Sequence, residues 1–287
     1  VSAARKFAAV VGWPVAQSLS PTLHGFWIRE HGLDAEYLAL PVRPEDFEAE
    51  IRALPDKGFT GVNVTIPHKE AAFRLADTRD DDADKAGAVN LLVFGGTKIH
   101  GRNTDIYGFA SSLEQDLGKD AAQRGPAIIL GAGGAARAVA LALLKQGAKE
   151  IRIMNRTRAR AEELAETVRR ARPGAHLEVA DWADWVRAFE GSGLLVNTTS
   201  LGMVGKDGLH VPLDALPPDA AVADIVYNPL ETPLLADARR RGHRTMDGLG
   251  MLMHQAVPAF AAWFGVTPKV TPGLRAALEA KLGGRSP

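Results

Sequence analysis

The chain has 287 residues, 46% apolar and 24% charged, which suits a globular protein of two ordinary domains. Its 34 basic and 34 acidic residues balance, which argues against nucleic-acid or membrane-surface partners, since both select for a basic excess. With no cysteine, thiolate nucleophiles, disulfides and cysteine-ligated metals are excluded, and no apolar run approaches the ~20 residues of a membrane span, so a cytoplasmic protein is expected.

Phe7 to Gly12 reads as a short buried strand, Pro21 to His31 as a helix closed by Gly32, and Ala35 to Pro41 and Val62 to Ile66 as further strands. Helices are expected over Pro44 to Leu54 and Pro67 to Ala76, and a strand over Val89 to Phe94 that turns at Gly95-Gly96. Such alternation implies an α/β domain with a mostly parallel sheet. A helix over Ile106 to Leu117 leads to a second series: strand Ala127 to Leu130, helix Ala135 to Gln146, strand Glu150 to Met154, helix Ala159 to Arg172. Leu194 to Asn197 and Ala221 to Val226 are apolar runs suited to central parallel strands. From Gly248 the chain turns helical again, with Pro258 expected to break or kink it. We therefore expect a substrate domain of residues 1–104 plus 248–287, its C-terminal helices returning to it, and a Rossmann-type domain of residues 105–247.

Gly131-Ala132-Gly133-Gly134-Ala135-Ala136 follows a strand and opens a helix, the context in which a glycine pattern cradles a pyrophosphate. The next strand ends at Asn155-Arg156-Thr157 with Arg158 and Arg160 following, where an NAD site would usually carry Asp or Glu. A cationic, hydroxyl-bearing turn favours a 2′-phosphate and hence NADP(H). Asn197-Thr198-Thr199-Ser200 lies at the carboxyl edge of its strand, where ligands gather in open α/β sheets, or is simply a polar turn.

In the first domain, Ser20 is read as a helix N-cap with Pro21 at the first helical position, and Ser18 and Ser20 together suit a small carboxylate or serve capping alone. Lys69 falls in the first turn of a helix expected to start at Pro67. There the helix dipole and burial favour a neutral amine and a nearby carboxylate the ammonium, a balance useful for proton exchange near neutral pH. Asp105 is the natural partner, or a cap for the helix after it. His68 and His254 read as bystander and packing residue, and Asp80 to Asp84 as a solvated acidic helix end, so no metal is expected.

Jointly, Ser18-Leu-Ser-Pro21, Asn63-Val-Thr-Ile-Pro-His-Lys69, Gly87-Ala-Val-Asn90, Asn103-Thr-Asp105, the glycine cluster, Asn155-Arg-Thr157, Asn197-Thr-Thr-Ser200 and Asp247-Gly-Leu-Gly-Met-Leu252 resemble the shikimate dehydrogenase family over nearly the whole chain. The resemblance implies reversible reduction of 3-dehydroshikimate to shikimate by NADPH, within aromatic amino-acid biosynthesis. It implies that Lys69 and Asp105 are catalytic and that Ser18, Ser20, Asn63, Thr65, Asn90, Asp105, Tyr227 and Gln255 hold the substrate. It further implies that Asp81, Gly131 to Ala135, Asn155, Arg156, Thr157, Arg160, Thr198, Ile225 and Gly248 line the cofactor. A monomer or homodimer is expected. A quinate/shikimate dehydrogenase using NAD or NADP is the nearest alternative. A methylene-tetrahydrofolate dehydrogenase would share the architecture but matches these motifs poorly, and a catalytically silent shikimate- or quinate-sensing module stands as a different class.

Overall fold

Lys6–Gly12 (β1) forms the spine of the first sheet, because its run of small and β-branched residues packs on both faces and tolerates strands on both sides. The computed structural model describes residues 5–284 and divides into two compact units, Val1–Thr104 with Gln255–Pro287, and Asp105–His254.

The first unit continues through Ser20–Glu30 (α1), Ala35–Pro41 (β2), Phe47–Ala53 (α2), Phe59–Val64 (β3), Lys69–Leu75 (α3), Thr78–Arg79 (β4), Asp81–Ala86 (α4), Leu91–Gly95 (β5) and Lys98–Arg102 (β6). Its sheet runs β2-β1-β3-β5-β6-β4. The β1–β2, β1–β3 and β4–β6 pairs are parallel, while β3–β5 and β5–β6 are antiparallel. Register assigns the faces. Ala9, Val11, Val62 and Val64 share a buried cluster with Phe47 and Ile51 of α2 and Ala72 and Leu75 of α3. The alternate positions Ala8, Val10, Tyr37, Gly61 and Asn63 therefore face the opposite side.

The second unit contains Asp105–Leu117 (α5), Ala127–Leu130 (β7), Gly134–Lys145 (α6), Ile151–Met154 (β8), Arg158–Ala171 (α7), Leu177–Ala180 (β9), Trp185–Phe189 (α8), Leu194–Asn197 (β10), Ala221–Asp224 (β11), Pro233–Arg240 (α9) and Thr245–Met246 (β12). All five strand pairs of the order β12-β11-β10-β7-β8-β9 are parallel. This is the doubly wound order of a dinucleotide-binding fold, and its direction reverses between β7 and β10.

Gly248–Phe264 (α10) and Pro272–Gly283 (α11) complete the chain. The helix α10 runs uninterrupted past Pro258, which costs it one ladder bond rather than ending it, and the division between the units falls within it. Among the described residues no helix is long and apolar enough to cross a membrane.

Three local expectations shift. The helix α1 begins at Ser20 itself, with Leu19 at the cap position and no side-chain cap bond. The helix α3 begins at Lys69 with His68 at its cap, so Pro67 lies in the preceding turn, where the Thr65 carbonyl accepts from His68 N–H at 2.9 Å. The strands β4, β6, β9 and β12, which composition alone did not mark, are short or half-polar edge pieces held by neighbours.

Candidate active site

In the first unit the polar residues converge on Asn90. Its Oδ1 accepts from Thr104 N–H at 2.7 Å, and its Nδ2 donates to Thr104 Oγ1 at 3.0 Å and to Gln255 Oε1 at 3.5 Å. Its carbonyl accepts from Val64 N–H at 2.8 Å and from Asn63 Nδ2 at 3.3 Å. Asn63 in turn accepts from the Tyr37 hydroxyl at 2.7 Å. Asn63, Asn90, Thr104 and Gln255 are all buried. Asn63, Asn90 and Gln255 thus belong to one hydrogen-bonded cluster, with Tyr37, which motif reading missed, and Thr104, which lay in the motif Asn103-Thr-Asp105 without an assigned role, as further members. Tyr37 left one sequence signal, as the only aromatic side chain of its strand.

The connection from β3 to α3 carries Thr65 and Lys69. Gly12 has no Cβ because one would sit 2.5 Å from Thr65 Cγ2, so the β1 terminus and this connection interlock. Lys69 is half-buried as the first residue of α3, and its carbonyl accepts from Val89 N–H at 3.0 Å. Ser18 Oγ accepts from Ser20 N–H at 3.2 Å, so the hydroxyl that helps finish the start of α1 belongs to Ser18. Neighbouring His68 is structural: it is buried, stacks on Phe47 at 4.6 Å, and its Nε2 lies 2.8 Å from the Val42 carbonyl.

The acidic segment serves local folding. Asp80 caps α4 by accepting from Ala83 N–H at 2.8 Å, Asp81 pairs with Lys85, and Arg79 pairs with Asp84 at 2.8 Å. Among the described residues no group of three or more His, Asp or Glu side chains is arranged to hold a metal ion.

In the second unit the β7–α6 turn sits at the reversal of strand order. Gly131 has φ +108°, a conformation L side chains rarely adopt, and a Cβ there would meet Thr198 Oγ1 at 2.8 Å. Thr198 bonds back to the Leu130 carbonyl through both its N–H at 2.9 Å and its hydroxyl at 2.7 Å, which places the ends of β7 and β10 side by side. Gly133 caps α6 without a side chain, and a Cβ at Gly133 or Gly134 would meet nothing within 4 Å. Backbone N–H groups of the first turn therefore face open space at the positive end of a twelve-residue helix. A diphosphate fits this cradle.

After β8, the Asn155 amide donates to the Thr157 carbonyl at 2.8 Å and shapes the turn. The three arginines that follow differ. Arg158 is committed to Glu162 at 2.9 Å and Asp181 at 2.5 Å. Arg156 and Arg160 are exposed and have no side-chain partner among the described residues. Two unpaired guanidinium groups beside a Thr hydroxyl fit a phosphate monoester.

The ends of β10 and β11 are joined by a buried carboxylate. Asp224 accepts from Asn197 Nδ2 at 2.9 Å, Val226 N–H at 3.0 Å and the Thr232 hydroxyl at 2.7 Å. Burial still dominates and raises its pKa from 3.8 to about 6. Beyond it, Ile225 N–H bonds to the Asn197 carbonyl at 3.1 Å, and a Cβ on Gly248 would lie 2.1 Å from the Ile225 carbonyl, so Gly248 is required for that approach. Tyr227 is half-buried on the same connection, and Asp105 is buried as the first residue of α5. His254 reaches Gln115 Oε1 at 3.0 Å, so it is hydrogen-bonded rather than merely packed.

Residues 10–92 match the model of the shikimate dehydrogenase substrate-binding domain, and residues 114–189 match that of shikimate/quinate 5-dehydrogenase. A shikimate dehydrogenase (NADP⁺) of Methylobacterium radiotolerans is 54% identical, over 99% of this chain and 100% of that protein. The chain belongs to the shikimate dehydrogenase family. Among solved structures, the Thermus thermophilus shikimate 5-dehydrogenase in complex with NADP(H) and shikimate is 35% identical, with TM-score 0.83 over 97% of this chain and 98% of that one. A quinate dehydrogenase of Corynebacterium glutamicum in complex with NAD is 30% identical, with TM-score 0.87 over 96% and 98%.

Proposed function

We propose that this protein catalyses the reversible reduction of 3-dehydroshikimate to shikimate with NADPH, as a cytoplasmic monomer or homodimer in aromatic amino-acid biosynthesis. The observation that carries the reading is the Asn90 cluster. Amide and hydroxyl groups from β3, Thr104 and α10 converge there, the complement of a ring bearing several hydroxyls. Ser18 and Ser20, beside the start of α1, bind the ring carboxylate. Thr65, Asn63, Asn90, Asp105, Tyr227 and Gln255 bind the hydroxyls.

The glycine turn would hold NADP(H), which would supply or accept the hydride. Gly131 to Ala135 bind its pyrophosphate, Arg156, Thr157 and Arg160 its 2′-phosphate, with Asn155 shaping that turn. Thr198, Ile225 and Gly248 would border the nicotinamide, and Asp81 is a further candidate for cofactor contact. Lys69 gives its ammonium proton to the carbonyl oxygen as negative charge develops there, and takes it back in the reverse direction. Asp105 orients both the amine and the reacting hydroxyl.

The unpaired Arg156 and Arg160 favour NADP over NAD. An absorbance assay of purified protein with shikimate or quinate, each paired with NADP⁺ or NAD⁺, tests the whole reading. Turnover is expected to be fastest for shikimate with NADP⁺. A preference for quinate with NAD⁺ would replace this reading by the quinate dehydrogenase one, and no turnover of any pair would leave the sensing module.

A further inference from the structure

We infer that Tyr37 is a positioning residue for substrate binding, its phenol fixing the orientation of the Asn63 amide from behind. The inference rests on the proposed substrate site.

Tyr37 lies on β2, with β1 between it and Asn63 on β3. Register places Tyr37 opposite Ala8 and Ala8 opposite Gly61, two residues before Asn63 on the same face. The ring crosses β1 on the side where Ala8 offers only a methyl group. Its hydroxyl ends 2.7 Å from Asn63 Oδ1. That bond decides which way the amide points: with Oδ1 committed to the phenol, Nδ2 faces the Asn90 carbonyl at 3.3 Å. A flipped amide would set carbonyl against carbonyl at Asn90 and lose that bond.

The phenol is itself held. His24 of α1 stacks on its ring at 4.1 Å and 11°, and Trp263 of α10 approaches at 5.9 Å. Burial keeps the hydroxyl protonated by pushing its pKa well above 10, against a weaker opposing effect of the Ser20 hydroxyl hydrogen-bonded to it. One OH group thus joins Ser20, assigned to the carboxylate, with Asn63, next to the ring hydroxyls. A sequence scan for polar motifs passes over it, because Tyr37 acts through Asn63.

The test is Tyr37→Phe, which keeps the ring and removes only the oxygen, alone and combined with Asn63→Ala. The shikimate KM, and its Kd by calorimetry without cofactor, are expected to rise about tenfold in Tyr37→Phe, the scale of one lost hydrogen bond to an oriented group. The NADP⁺ KM should stay within about twofold, since loss of one bond in the first unit leaves the cofactor residues of the second untouched. In the Asn63→Ala background the extra rise should vanish, because the group Tyr37 positions is gone. Unchanged shikimate Kd in Tyr37→Phe, or the same rise in both backgrounds, overturns the inference and leaves Tyr37 a packing residue. Failure of the wild-type protein to bind shikimate removes the substrate reading and the inference with it; wild-type binding with an additive cycle removes the inference alone.

Discussion

Lys69 and Arg156 show how little of a side chain's task follows from its type. Both are cations near the first turn of a helix, where the dipole disfavours positive charge, so each needs another reason to be there. In the proposed mechanism, that reason is proton transfer for Lys69. Lys69→Ala is expected to lower kcat by ~10²–10⁴-fold while calorimetry still registers both shikimate and NADP⁺. Near-normal turnover would remove Lys69 from the chemistry. For Arg156 the proposed reason is the 2′-phosphate. Arg156→Ala is expected to raise the NADP⁺ KM by about 10- to 100-fold and leave the NAD⁺ KM nearly unchanged, the effect of losing one charge-assisted pair. Equal effects on both would reassign the turn. The sequence could name the cluster Arg156, Arg158 and Arg160 but could not divide it. That division depends on Asp181, which follows β9 and reaches Arg158 only in the folded unit. Tyr37 escaped for the same reason, since its importance comes from strand register and not from a local motif, whereas Thr104 lay inside the motif Asn103-Thr-Asp105 without a role assigned to it.

Elements were more legible than individual side chains wherever a glycine or an apolar run carried a backbone demand. The β7–α6 turn is an example: Gly131 needs positive φ and Gly133 an uncovered helix start, and a glycine pattern after an apolar strand encodes both. Gly131→Ala combines a disfavoured φ of +108° with a Cβ 2.8 Å from Thr198 Oγ1. It should cost ~1–3 kcal/mol of unfolding free energy, measured by urea titration, and weaken NADP⁺ binding by shifting Thr198 away from Leu130. Wild-type stability and affinity would show that the turn yields freely. Helix starts were read one or two residues off at Ser20 and Lys69, because prolines at 21 and 67 suggested first-turn positions. Short edge strands such as β4 and β12 stayed silent, since two residues hold no periodicity and owe their conformation to a partner.

At the scale of the whole molecule, burial shifts His24 in the first unit and Asp224 in the second, and the two respond to acid with opposite sign. His24 is fully buried, and burial lowers its pKa from 6.5 to about 3 against a weaker opposing effect of the Asn63 side chain. The folded state keeps it neutral while the unfolded chain takes up a proton below pH 6.5. Stability is therefore intact above pH 6.5 and falls as pH drops toward 3, by of order 5 kcal/mol in total. Asp224, raised from 3.8 to about 6, works the other way: its contribution is complete below pH 3.8 and is lost as pH rises through 6, of order 3 kcal/mol. Between pH 6 and 4, hydrogen exchange corrected for intrinsic rate should therefore show protection falling in the first unit and rising in the second. His24→Phe should abolish the fall. Parallel changes in both units would contradict the assignment. The first unit has a further property, since its chain is interrupted: Trp263 of α10 donates to the Leu92 carbonyl at 3.1 Å and fills the space a Cβ on Gly61 would need, and Gln255 joins the Asn90 cluster. On a ribosome, then, the earliest-made strands must wait for late-made helices to cover them. The continuous middle stretch can mature beforehand, so the nucleotide half is born first although it is translated second.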